Sequence, residues 1–129
     1  MPFNPDEYIS LAENLVGLHG KVEPRGLGFS TQAVLRAAVS RAYYGALLRA
    51  REYAGVSVRK NDSESHNAVI KYYENRTEPE AKTVAGLLLG LKSLRKKADY
   101  KIEGSISLRQ ANDALADAKE ILDTLTPDD

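Results

Sequence analysis

The stretch Thr31–Ala54, TQAVLRAAVSRAYYGALLRAREYA, decides the fold. On a helical wheel Leu35, Ala38, Val39, Ala42, Ala46, Ala50 and Tyr53 form one apolar stripe, because residues three and four apart share a face. Val34, Ala37 and Leu48 add a second strip on one flank, with Arg41 beside it, while Arg36, Ser40, Tyr43, Tyr44 and Arg51 crowd a different side. A helix apolar over so much of its girth is contacted by several neighbours, so it belongs at the centre of a bundle. Its alanines permit close approach.

Upstream, Asn4, Pro5, Asp6 and Glu7 read as a helix start, since Asn caps free amides and Pro suits the first turn. Tyr8, Leu11, Ala12, Leu15 and Leu18 then recur at helical spacing over residues 5–18, and Gly20 ends the helix. Residues 21–29 hold Pro24, Gly26 and Gly28 and read as a loop. Downstream, Gly55 closes the central helix and residues 56–62 form a polar connection. A third helix over about residues 63–75 places His66, Val69, Ile70 and Tyr73 on one face. Thr77 with Glu80 spells a capping box with Pro79 in the first turn, and a fourth helix follows to about residue 98 with the stripe Val84, Leu87, Leu88, Leu91, Leu94 and Ala98. Gly86 and Gly90 within it either let a neighbour approach closely or are a small cost to the helix. After Gly104, Ser107 with Gln110 spells a second capping box, and Leu108, Ala111, Leu115, Ala118, Leu122 and Leu125 form the stripe of a fifth helix that Pro127 stops. No segment alternates with strand period. The expected fold is all-α, an up-and-down bundle of four to five helices in a single domain.

The bulk composition agrees. A chain of 129 residues buries roughly 68% of its unfolded surface in one core. Its 43% hydrophobic content is too high for a disordered tail. The absence of cysteine excludes disulfides and thiolate metal sites. No stretch reaches the length of a membrane span and the first residues do not read as a secretory leader, so a cytoplasmic protein without a membrane partner is expected. A net charge of zero argues against coating nucleic acid non-specifically. The charge is nevertheless segregated. Residues 36–60 carry six basic side chains against Glu52, and residues 92–101 carry five against Asp99. From Glu103 onward seven acids face only Arg109 and Lys119. The molecule has either a basic and an acidic face, or solvated helix surfaces that attract one another in a monomer or a dimer.

Several residues are candidates for chemistry. An arginine held against a bundle pairs with a carboxylate, a carbonyl or a bound anion, which singles out Arg36 and Arg41. Tyr43 and Tyr44 either pack with their phenols on buried acceptors or offer a surface on which a base stacks. His66 is either an ordinary histidine near a helix start or a general acid or base. His19 most simply offsets a helix dipole. The run Arg95, Lys96, Lys97, Ala98, Asp99, Tyr100 is either a helix end with an Arg95–Asp99 pair or a phosphate-binding cluster with Tyr100 beside it. No second histidine or carboxylate cluster accompanies His66, so neither a metal site nor a cofactor is expected.

The string SRAYYGALLRA (40–50), with His66 in SHNAVIKYY and LRKKADY (94–100) after it, resembles the HEPN superfamily, in particular its small prokaryotic branch. The likeness spans about residues 5–125 and rests on three motifs in order. It implies a helical, frequently dimeric bundle that binds RNA or a nucleotide. It also implies a metal-independent endoribonuclease toxin of a toxin–antitoxin or defence pair, with a minimal nucleotidyltransferase as antitoxin partner. In that reading His66, Arg95 and Tyr100 are the catalytic candidates, and Arg36, Arg41, Tyr44 and Asp99 the nucleotide- or RNA-binding ones. The family's catalytic signature is an Arg followed by His after four to six residues. Here Arg95 is followed by Asp99 and Tyr100 with no His, while Arg59 and His66 keep the count across a loop and a helix start. Three readings stay open: folding brings His66 to Arg95 or Arg41, the chain binds RNA or a nucleotide without cutting, or it is a partner-binding structural dimer in which these tyrosines and arginines are core and salt-bridge residues.

Overall fold

The computed structural model describes residues 4–19, 30–55 and 63–126. The expected loop at residues 21–29, the connection at 56–62 with Arg59, and Pro127 lie outside the described residues. Five helices account for the fold: α1 (Asp6–Leu18), α2 (Thr31–Ala54), α3 (Ser63–Glu74), α4 (Pro79–Tyr100) and α5 (Leu108–Thr124), with no strand among the described residues. The protein is an all-α helical bundle. No helix of the described residues is long and apolar enough to cross a membrane.

α2 is the axis and packs against each of the other four helices. Leu35, Ala38, Val39, Ala42, Ala46 and Ala50 are buried, as the stripe predicts, but Tyr53 at its end is half exposed. Ser30 caps α2 by accepting from Ala33 N–H, and Gly55, at φ 69°, turns its end in the left-handed region that glycine tolerates. α1 crosses α2 where Gly45 removes a side chain. A Cβ there would stand 2.6 Å from Ile9 Cδ1 and 3.1 Å from the Pro5 carbonyl, and the ion pair Arg49–Asp6 at 2.8 Å holds the crossing beside it. The glycines singled out in sequence do the opposite: Gly86 and Gly90 face open space on α4.

The topology departs from simple up-and-down alternation at one step. Tyr43 meets His66 and Ala50 meets Tyr73, so contacts advance in the same direction along α2 and α3 and the two helices run parallel. α4 then returns antiparallel, which sets its C-terminal turns, with Arg95 and Asp99, against Ser40 and Tyr44 of α2.

Helix starts follow local chemistry with one correction. Ser107 and Gln110 form the expected capping box of α5, and Asn4 Oδ1 accepts from Asp6 N–H at 3.0 Å ahead of α1. The Thr77–Glu80 box does not form: the N-cap of α4 is Glu78, in extended backbone and without a side-chain cap, because Pro79 takes the first helical position and shifts the start by one residue. α4 also continues past Ala98 to Tyr100, where Arg36 reaches over from α2 and donates to the carbonyls of Lys97 (3.5 Å), Ala98 (3.0 Å) and Gly104. These charge-assisted bonds occupy carbonyls that a helix end otherwise leaves to water. Leu108, read as core, is exposed on the first turn of α5.

Candidate functional site

The middle of α2, the start of α3 and the end of α4 meet around the Arg95 side chain. Arg95 is buried, with 8% of its surface exposed. Its Nη2 donates to the Tyr44 hydroxyl at 2.7 Å and its Nη1 to the Tyr100 hydroxyl at 3.2 Å. Its guanidinium carbon stands 5.3 Å from the Tyr43 ring centre, 5.1 Å from that of Tyr44 and 5.5 Å from that of Tyr100, the range of cation–π attraction. Asp99, one turn on, brings Oδ2 to 3.5 Å from Nε as an ion pair, and Ser40 Oγ donates to the same oxygen at 3.3 Å. That Nε is fully buried and makes no hydrogen bond.

The electrostatics follow. Burial, the largest influence, disfavours the Arg95 charge, but Tyr44, Tyr100, Asp99 and Tyr43 together outweigh it and raise its pKa, so the group is a fixed cation at any working pH. A buried guanidinium facing one carboxylate and three phenols has spare capacity for an anion.

His66 joins the same cluster from α3. It is 3% exposed, its Nδ1 lies 3.0 Å from the Tyr43 hydroxyl, and its ring packs edge-on to Tyr44 with centres 5.8 Å apart. Tyr43 is wholly buried; burial pushes its phenol above the ordinary value of 10.0, Arg95 pulls it down and Tyr44 pushes it up. Since burial prevails, Tyr43 is neutral, and its hydroxyl stands within hydrogen-bond distance of His66 Nδ1.

Arg41 stands at the outer edge. It has no carboxylate partner among the described residues; its guanidinium lies 5.0 Å from the Tyr8 ring centre and 5.5 Å from that of Tyr44. Tyr44 therefore has two arginines, Arg41 and Arg95, within cation–π range. No family of proteins, curated protein or solved structure matches this chain.

Of the candidates read from sequence, His66, Arg95, Tyr100, Arg41, Tyr44 and Asp99 fall in or beside one cluster. Arg36 does not, because its nitrogens are committed to the carbonyls at the end of α4 and to Gln32. Three contributors went unmarked as binding residues. In sequence Tyr8 is only part of the α1 stripe, Ser40 only a polar-side residue of α2, and Tyr43 fits packing and stacking equally. Only the S-R-x-Y-Y string pointed to the latter two, and nothing local in the sequence pointed to Tyr8. On another side of the end of α4, Lys96, Lys97 and Lys101 line an open groove of about 760 Å³ with Gly90, Ser93, Leu94 and Gln110. None of these lysines has an ion pair among the described residues.

Proposed function

We propose that this chain is a HEPN-type, RNA-directed protein that holds a phosphate of RNA or of a nucleotide at Arg95. The observation that carries the reading is the meeting of three motifs, far apart in sequence, around one buried guanidinium: Ser40 to Tyr44, His66, and Arg95 to Tyr100. Packing alone asks for no such convergence. In the proposed complex a phosphate oxygen replaces the Tyr100 hydroxyl on Arg95 Nη1. Tyr100, 69% exposed, swings aside at little cost to the core, Arg41 and Tyr44 stack beside the adjoining base, and the lysine groove carries neighbouring phosphates.

Binding without cutting is the stronger form of this proposal, because His66 is 3% exposed and lies behind the Tyr43 and Tyr44 rings. A general acid or base must come within hydrogen-bond reach of the ribose. The endoribonuclease form draws on the 3.0 Å contact of His66 with Tyr43, whose ring also carries Arg95; there the imidazole takes the 2′-hydroxyl proton as that oxygen attacks phosphorus, Arg95 stabilises the phosphorane, and the imidazolium gives the proton to the departing 5′-oxygen. The proposal carries with it a cytoplasmic homodimer whose antitoxin-like partner is a minimal nucleotidyltransferase. Incubation with total RNA in EDTA tests both forms. RNA retained and intact supports binding; cleavage that a His66→Ala, Arg95→Ala double variant lacks supports the nuclease; RNA neither retained nor cut overturns the proposal.

A further inference from the structure

The far end of α4 holds a second polar cavity, remote from Arg95. It measures about 290 Å³, near the small end of ligand sites. Tyr53 at the end of α2, Tyr72 and Tyr73 at the end of α3, and Thr124 and Leu125 at the end of α5 line it, closed by Arg76, Glu78, Glu80 and Ala81 at the start of α4.

The polar groups there are unequally committed. Arg76 spends every guanidinium nitrogen: Nε and Nη2 donate to the two Glu78 oxygens at 3.1 and 3.0 Å, and Nη1 donates to the Tyr72 hydroxyl at 3.2 Å. Its charge and that of Glu78 cancel. Three of its five N–H donors are taken and its charge is matched, so Arg76 draws an anion into the cavity only weakly. By contrast, neither the Glu80 carboxylate nor the Tyr53 hydroxyl has a hydrogen bond or ion pair among the described residues. Three helices end at the cavity and one begins there, so the helix dipoles add negative rather than positive potential. The remaining wall is aromatic: Tyr53 is 54% exposed, and Tyr72 already holds the Arg76 guanidinium 5.3 Å from its ring centre, which demonstrates a cation seated on this aromatic surface.

We infer that this cavity binds a small organic cation, an amidinium or ammonium on an apolar body, with its charge toward Glu80 and its body against Tyr53 and Leu125. The inference stands apart from the Arg95 proposal and neither falls with the other.

Benzamidine, neutral benzamide and anionic benzoate make a matched series of probes. Each is titrated into the full chain while the tyrosine ring protons are followed by NMR. Benzamidine gives saturable shifts, benzamide binds at least about tenfold more weakly, and benzoate does not bind. Tyr53→Ala and Glu80→Gln, both at exposed positions, each weaken benzamidine by about threefold to fivefold. Non-saturating shifts, benzamide or benzoate binding as well as benzamidine, or wild-type affinity in both variants overturns the inference. The probe series alone decides the charge preference should a variant fail to fold.

Discussion

Two buried phenols, one toward each end of α4, meet different partners. Tyr73 donates to the Ala50 carbonyl at 2.7 Å, a backbone oxygen inside α2 that also serves the helix's own ladder. Tyr43 faces His66 Nδ1 at 3.0 Å with Arg95 over its ring. The first bond joins a side chain to scaffold and nothing in it titrates near neutrality. The second joins two buried polar side chains of different helices beside a fixed cation. The difference separates a tyrosine that locks α3 to α2 from one that also shapes a cluster of polar groups, although both are nearly inaccessible and both sit in a Tyr-Tyr pair, Tyr43 as the first residue and Tyr73 as the second.

The largest effects come from removing either ring. Tyr43→Ala and Tyr73→Ala each lower unfolding stability by about 3–5 kcal/mol, the cost of a cavity where a buried aromatic stood. Urea denaturation measures it. A loss under about 1 kcal/mol at either site shows that the ring is not the core element described.

Removing only the hydroxyl sharpens the comparison. Tyr73→Phe leaves Ala50 with its helical bond and costs about 0.5–1.5 kcal/mol, whereas Tyr43→Phe strips a partner from a buried imidazole nitrogen and costs about 1–3 kcal/mol. The same denaturation series reads the order; a larger loss at Tyr73 reverses the assignment of roles.

Alkaline titration treats the two alike. Burial pushes both phenols above 10.0, reinforced at Tyr73 by Tyr72 and Tyr53 and opposed there by Arg76. Their folded pKa values exceed the unfolded ones, so the associated stability is whole below about pH 10 and is lost as pH rises beyond it. In near-ultraviolet absorbance two phenols stay protonated until the chain unfolds, and each Phe variant removes one of them. Ordinary ionisation of all seven tyrosines before unfolding contradicts the packing.

The smallest effect lies at the rim of the tyrosine cavity. The Arg76 hydrogen bond holds the Glu78 carboxyl below its ordinary value of 4.5. Its contribution is present above that value and fades as pH falls through the lowered one. Arg76→Ala moves the Glu78 carboxyl back toward its ordinary value in an NMR titration, with only a small drop in unfolding midpoint at neutral pH, since the pair is solvent-exposed.

The helices were readable because each carries its own period and punctuation. The α2 stripe, the Ser107 box and Gly55 needed no tertiary information. The Thr77 box was misleading because capping letters ignore the exclusion that Pro79 imposes on its predecessor. Gly86, Gly90 and Gly45 show a deeper limit: a helical glycine reads the same whether it faces solvent or Ile9, since only the neighbouring helix decides. The site was half legible. His66, Arg95 and Asp99 stood out by chemistry, but their meeting depends on α3 running parallel to α2, which no local signal encodes. Arg36 and Arg41 could not be told apart in sequence; one caps α4 and the other stacks on Tyr8 and Tyr44 because of where α4 and α1 happen to lie.

The central claim is that the Arg95 guanidinium takes a phosphate. Fluorescence anisotropy of a labelled single-stranded oligoribonucleotide, run in EDTA on wild type, Arg95→Gln and Tyr100→Ala with folding checked by circular dichroism, tests it most directly. The account predicts binding that weakens at least about tenfold in Arg95→Gln, the cost of about one charge-assisted phosphate contact, and at most about threefold in Tyr100→Ala. Equal affinity for wild type and a folded Arg95→Gln contradicts it.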